Sequence, residues 1–197
     1  MSEHERRITR ADVLSERDYA ARRTELRKDY VARKKDRRVE VGPFATFYFE
    51  NYESMWIQIH EMLHIEKGGE EQIAGELDVY NPLIPQGREL VATLMLEIAD
   101  ANRRDAVLKT LGGIEETVSM EVAGARIKAI PADYEDRTTP DGKTSSVHWL
   151  RFPFTPEQIA AFRGGEGRVV IEIAHSHYGH MAVVSPQVRA ALAKDFA

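Results

Sequence analysis

At 197 residues, 43% of them hydrophobic, the chain is long enough to bury a core of its own. It has no cysteine, which excludes disulfides, thiolate zinc sites, cysteine-ligated iron–sulfur clusters and a cysteine nucleophile. The net charge of −5 is uneven: residues 1–40 hold 13 Lys and Arg against 9 Asp and Glu, whereas residues 41–197 hold 14 against 23. A basic segment on an acidic body raises the question of nucleic acid. However, Glu16, Asp18, Glu25, Asp29 and Asp36 interleave with the basic residues, the pattern of a solvated helix with i,i+4 ion pairs, and this argues against a nucleic-acid partner. The first residues are charged and carry no apolar run, so no secretory signal or membrane segment is expected. A cytoplasmic location is the expectation.

In chain order, Thr9 and Asp12 have capping-box spacing, and no Gly or Pro interrupts the run to Arg38. A long helix over residues 9–38 is predicted. Its apolar positions, Leu14, Tyr19, Leu26, Tyr30 and Val31, form a thin stripe suited to docking along a narrow edge or on a partner. After Gly42-Pro43, Phe44 to Phe49 reads as a strand. Asn51 then caps a helix to Glu66 with a stripe of Met55, Trp56, Ile59, Met62 and Leu63, ended by Gly68-Gly69. A helix over Glu70–Tyr80, a strand ELVATLMLEI, a helix over ADANRRDAVLKTLGG with Gly112 just past its end and a hairpin around Ala123-Gly124 follow. Residues 131–146 form a polar loop. The strand SVHWLRFPF leads to a helix over 156–163, opened by Thr155-Pro156 with Gln158. RVVIEIAH and HMAVV are strands joined by SHYG, and Ser185-Pro186 starts a last helix. The expected fold is α+β: a mostly antiparallel sheet packed with several helices, preceded by a long N-terminal helix. One domain over 1–197 is expected, with 1–40 a basic helical arm and 41–197 the body.

Two motifs carry chemistry. Residues 60–64 read HEMLH, the H-E-x-x-H pattern in which two imidazoles four apart on a helix hold zinc and the glutamate activates water. His60 and His64 are therefore candidate metal ligands and Glu61 a candidate catalytic base. No third ligand arrives at metzincin spacing, so the pattern supplies only part of a zinc site. The second motif is HSHYGH: His175, His177 and His180 could together hold a divalent metal at a hairpin mouth. No G-x-S-x-G elbow, phosphate loop or dinucleotide fingerprint is present, so no nucleotide cofactor is expected.

Taken together, ITRADVLSERDY, the KKDRRVEVGP segment, FYFENYESMWIQIHEML and the closing YGHMAVV resemble the bacterial family known as domain of unknown function 3501, over nearly the whole chain. That family has no established activity. The resemblance implies a genomic setting near rubrerythrin and an iron–sulfur oxidoreductase. From this follows an accessory or binding role linked to oxidative-stress or iron–sulfur redox metabolism. The partner would be a protein of rubrerythrin or iron–sulfur oxidoreductase type, or a second copy of the chain meeting it through the N-terminal helix. The alternative is a metal-dependent hydrolase using His60, Glu61 and His64 or the 175–180 cluster. His64 departs from the family's pattern, whereas Tyr178-Gly179-His180 matches it.

Overall fold

Strand β3, Glu89–Leu96, is buried along most of its length on both sides. Its sequence ELVATLML has no clean polar alternation, which is what a strand covered on both faces requires. The computed structural model describes residues 6–132, 137–165 and 167–197, and β3 lies at the centre of its larger sheet. That sheet is antiparallel with the order β1 (Arg38–Val41), β2 (Ala45–Phe49), β3, β7 (Val147–Pro153), β6 (Ile130–Pro131). A second antiparallel sheet has the order β5 (Ala125–Lys128), β4 (Val118–Val122), β8 (Val169–His175), β9 (Tyr178–Val183). The expected α+β class holds, with two sheets where the sequence suggested one.

The two sheets share a core. Phe47, Phe49, Leu90, Leu94 and Phe152 of the first meet Met120, Val169, Ile171 and Ile173 of the second in one apolar cluster. Helices contribute to the same cluster: α4 (Ala101–Leu108) through Leu108, α5 (Pro156–Gly164) through Phe162, and α6 (Pro186–Leu192) through Val188 and Leu192. Their starts are legible in the sequence. Asp100 accepts from Arg103 N at 2.7 Å, Thr155 from Gln158 N at 3.3 Å and Ser185 from Val188 N at 3.2 Å, each an N-cap.

The outer face of the five-stranded sheet carries a second, smaller core. Here α2 (Tyr52–Glu66) lays Met55 and Ile59 on Val91, with Ile73 of α3 (Gly69–Tyr80) and with Leu83, Ile84, Ile8 and Val13 around them. Asn51 and Ser54 cap α2 reciprocally, at 2.9 Å each way. Its C-terminal left-handed position is Lys67, φ 56°, and not the following Gly68.

The N-terminal segment departs from expectation. The helix predicted over 9–38 is broken into a 3-10 turn at Arg10–Asp12, a 19-residue helix α1 over Glu16–Lys34, a 3-10 turn at Lys35–Arg37, and strand β1. Thr9 N–H does donate to Asp12 Oδ2 at 2.7 Å, but this closes only the short turn. Val13 is extended and buried at 5% exposure, and Ser15 recaps the chain by accepting from Asp18 N at 3.1 Å. Burial of Val13 thus overrides helix propensity. The described part of this segment, residues 6–40, is docked on the body: Ile8, Val13 and Tyr19 are buried, and Arg38–Val41 is a strand with Val39 and Val41 facing the core. No helix is long and apolar enough to cross a membrane among the described residues. The acidic part of the polar loop, residues 133–136, lies outside the described residues.

Ile59 has 0% exposure at the centre of the helix–sheet contact. Ile59→Ala removes buried methyl groups and leaves a cavity, so it is expected to cost about 2–5 kcal/mol. The check is urea denaturation: the midpoint falls while the slope is unchanged.

Candidate functional site

The HEMLH residues lie on the side of α2 that receives the N-terminal segment. His60 is 2% exposed, and both its ring nitrogens are occupied. Nδ1–H donates to Trp56 O at 2.7 Å, and Nε2 accepts Leu14 N–H at 3.0 Å. Those partners fix the neutral ring with its proton on Nδ1. The ring stacks on Trp56 at 3.9 Å and on Tyr19 at 4.8 Å, and burial lowers its pKa. Glu61 is equally committed. It accepts from Arg23 through Nε and Nη2 at 2.8 Å each, from Tyr19 Oη at 2.6 Å and from Arg27 Nη1 at 3.1 Å. The Arg23 hydrogen bonds hold its carboxyl down at about 2, with Tyr19 and Arg27 acting in the same direction against burial. A carboxylate so held has little basicity to offer a metal-bound water. With Trp56 Nε1–H donating to Asp12 O at 2.8 Å, these groups fasten the N-terminal segment to α2. His64 meets the edge of Tyr19 at 6.2 Å, and its buried Nδ1 has no hydrogen-bond partner. It lines a cleft of about 200 Å³ with Leu14, Tyr19, Leu63 and Ile73.

The HSHYGH histidines do not all converge: the rings of His175 and His177 lie 5.9 Å apart, but His180 does not join them. The ladder places Tyr178 opposite His175 and His180 opposite Ile173, so His175 and His180 do not face each other. Nε2–H of His175 donates to Gly112 O at 3.3 Å, its Nδ1 accepts His177 N–H at 3.2 Å, and His177 is exposed in the turn. His180 packs on Tyr178 at 4.5 Å and lies over Gly42, where a Cβ would come within 2.6 Å of its ring. Gly42 also needs φ +73°, so glycine answers both demands. Tyr178 has the structural role: its hydroxyl donates to Val41 O at 2.7 Å and accepts Phe44 N–H at 3.2 Å and Ala45 N–H at 3.1 Å. Among the described residues, no group of three or more His, Asp or Glu is placed to hold a metal ion.

A site not anticipated from the sequence lies between the outer face of the larger sheet and helices α1 and α2. It is a cavity of about 270 Å³. Glu50, just past β2 and 8% exposed, reaches it, with Thr93 Oγ1 donating to Glu50 Oε1 at 2.6 Å. Burial raises the Glu50 pKa, opposed by hydrogen bonds from Ser54 and Thr93 and by the charges of Lys34 and Arg37. The walls are aromatic: Tyr30, Tyr48, Tyr80 and Trp149. Lys34 Nζ lies 4.3 Å from the Tyr48 ring centre and 5.8 Å from that of Tyr30. Arg37 holds the backbone beneath, donating to Phe49 O at 3.0 Å and Glu50 O at 3.1 Å while pairing with buried Asp195. One sequence signal was available. Thr46, Tyr48 and Glu50 alternate with Phe47 and Phe49, which marks an outward row of polar groups on a strand whose other face is core.

The His60 contact generates a pH dependence. Well above pH 6.5 neither state protonates the ring, and its hydrogen bonds contribute in full. As pH falls below that value, the unfolded chain takes up a proton that the folded chain resists, so stability declines until the lowered folded pKa is passed. The expected outcome is a fall in thermal midpoint from about pH 7.5 to about pH 5.5 that is smaller in His60→Gln, whose amide does not titrate over that range.

Comparison with known proteins adds a family and a relative. A crystal structure of a novel protein of unknown function from Burkholderia pseudomallei superposes with a TM-score of 0.89 at 38% identity, covering 96% of this chain and 99% of that one. No curated protein matches. The family model described as protein of unknown function (DUF3501) matches residues 7–196, in agreement with the resemblance noted from the sequence. The chain, with its paired antiparallel sheets and docked helices, belongs to the DUF3501 family.

Proposed function

We propose that this is a binding protein that seats a small organic molecule in the cavity reached by Glu50. The observation that carries the reading is a buried carboxyl group, its pKa raised by burial, in a cavity with four aromatic side chains. Pockets that are mostly apolar with a few convergent polar groups are the usual form of ligand sites, and perturbed titrating groups cluster in them. A structural role alone would favour replacing such a carboxyl by an apolar side chain, because burying it costs free energy. By contrast, the hydrogen bonds of His60 and Glu61 are directed at the chain's own N-terminal segment. The accessory role in redox metabolism, with a partner of rubrerythrin or iron–sulfur oxidoreductase type, rests on the family resemblance alone. It is carried here as part of the proposal, and co-purification of such a partner with the full chain checks it.

The cavity is tested with an uncharged probe, 2-phenylethanol. The protein has two tryptophans, so in a Trp56→Phe background the fluorescence reports Trp149, which lines the cavity. A saturable change is expected, lost when Val147→Phe fills the space. A linear response, or one indifferent to Val147→Phe, would remove the cavity as a binding site.

A further inference from the structure

We infer that the ligand of the Glu50 cavity is an organic cation, an ammonium group on a small apolar or aryl body, whose charge is met by Glu50 while the ring wall of Tyr48 takes the place it now gives to Lys34. This rests on the binding-protein reading above and narrows it to a ligand class. Three placements carry it. First, the carboxyl of Glu50 is the acidic group of the cavity, and it accepts hydrogen bonds from Thr93 at 2.6 Å and from Ser54. A carboxylate can accept several hydrogen bonds through its two oxygens, so acceptor capacity remains for a ligand. Second, the walls include tyrosine and tryptophan rings, whose π faces attract positive charge; Lys34 lies over Tyr48 and Arg137 over Trp149. Third, the protein already places a cation there. The Lys34 ammonium sits 4.3 Å from the Tyr48 ring centre, on a flexible stem from the end of α1. A tethered lysine on that wall occupies the position a free ammonium would take, and it can swing away into solvent as the ligand enters.

The charged and titrating groups around Glu50 leave its carboxyl open to an arriving cation. From α1 come Lys34 and Tyr30, from the turn after it Arg37, from the start of α2 Glu53, and from β2 Tyr48. Arg37 is committed to Asp195 and to the carbonyls of Phe49 and Glu50, and Glu53 is paired with Arg33. Tyr30 stays protonated, because burial raises its pKa above the ordinary tyrosine value. As the ligand's ammonium enters, that of Lys34 leaves the Tyr48 ring for solvent, so one cation replaces another and the charge of the cavity does not change.

The experiment is isothermal titration calorimetry of the full chain with three probes of one shape: phenethylammonium, 2-phenylethanol and phenylacetate. The expected result is that phenethylammonium binds at least about tenfold more tightly than either isostere, a difference of about 1.4 kcal/mol. Glu50→Gln abolishes the preference while 2-phenylethanol still binds. Lys34→Met, a change on the partly exposed end of α1, is expected to tighten phenethylammonium roughly two- to fivefold by removing the competing ammonium from Tyr48. That gain is one that a merely structural Lys34 would not produce. Equal or tighter binding of 2-phenylethanol or phenylacetate, or cation binding unchanged in Glu50→Gln, overturns the cation assignment and leaves the cavity reading standing. Failure of all three probes to bind overturns both.

Discussion

Strand β3 is covered on both faces along most of its length, and the rest of the molecule is arranged around that constraint. Leu90, Ala92, Leu94 and Leu96 enter the core between the sheets, and Val91 enters the core under the helices. A strand buried on both sides must be covered on both sides. One cover is the four-stranded sheet; the other is α2 with α3 and the N-terminal segment. The second cover is incomplete. Beyond Val91 the outward row continues as Thr93 and Met95, and there the helices leave the cavity in which Glu50 and Thr93 meet. The cavity is thus a gap in the packing over a strand that elsewhere is sealed. Thr93 and Ser54 each give Glu50 a hydrogen bond there.

Much of this was legible in the chain. The caps at Asn51, Thr155 and Ser185 announced their helices, and Ala123-Gly124 announced the β4–β5 turn with φ of 49° and 79°. Local chemistry decides those features, so a local reading finds them. What was misread depends on contacts distant in sequence. Nothing between Thr9 and Arg38 breaks a helix locally; the break comes from Val13 entering the core beside Ile59. Strand β1 does alternate, Arg-Val-Glu-Val, but four residues are too few to override the helical run before them. Glu50 was invisible as a site because its burial depends on α1 coming back across β2, which no periodicity reports.

The HEMLH motif shows why residue types alone did not settle the candidate site. An imidazole that accepts an N–H and a carboxylate that accepts several N–H and O–H groups are suited to catalysis and equally suited to fastening a chain. Here His60 accepts Leu14 N–H, and Glu61 gathers Tyr19, Arg23 and Arg27. The interaction is buried enough to matter: the Glu61 side chain is 16% exposed, whereas Arg10–Glu70 nearby is 52% and 69% exposed and is worth little. Tyr178 of the closing motif is likewise spent on architecture, every lone pair and proton of its hydroxyl being used.

That hydroxyl has a kinetic consequence. It joins Val41 to Tyr178 across 137 residues, and with them the turn of one sheet to the edge of the other. Closing a loop of that length from an unstructured chain costs roughly 4 kcal/mol of entropy, which local hairpins do not incur. The β1–β2 turn can form early, but its two N–H groups and one carbonyl remain solvated until β9 arrives. Contacts of such separation slow folding. The closing of the sandwich at Tyr178 therefore belongs late on the folding path, and the species that precedes it exposes the apolar inner rows of both sheets to whatever else is in solution.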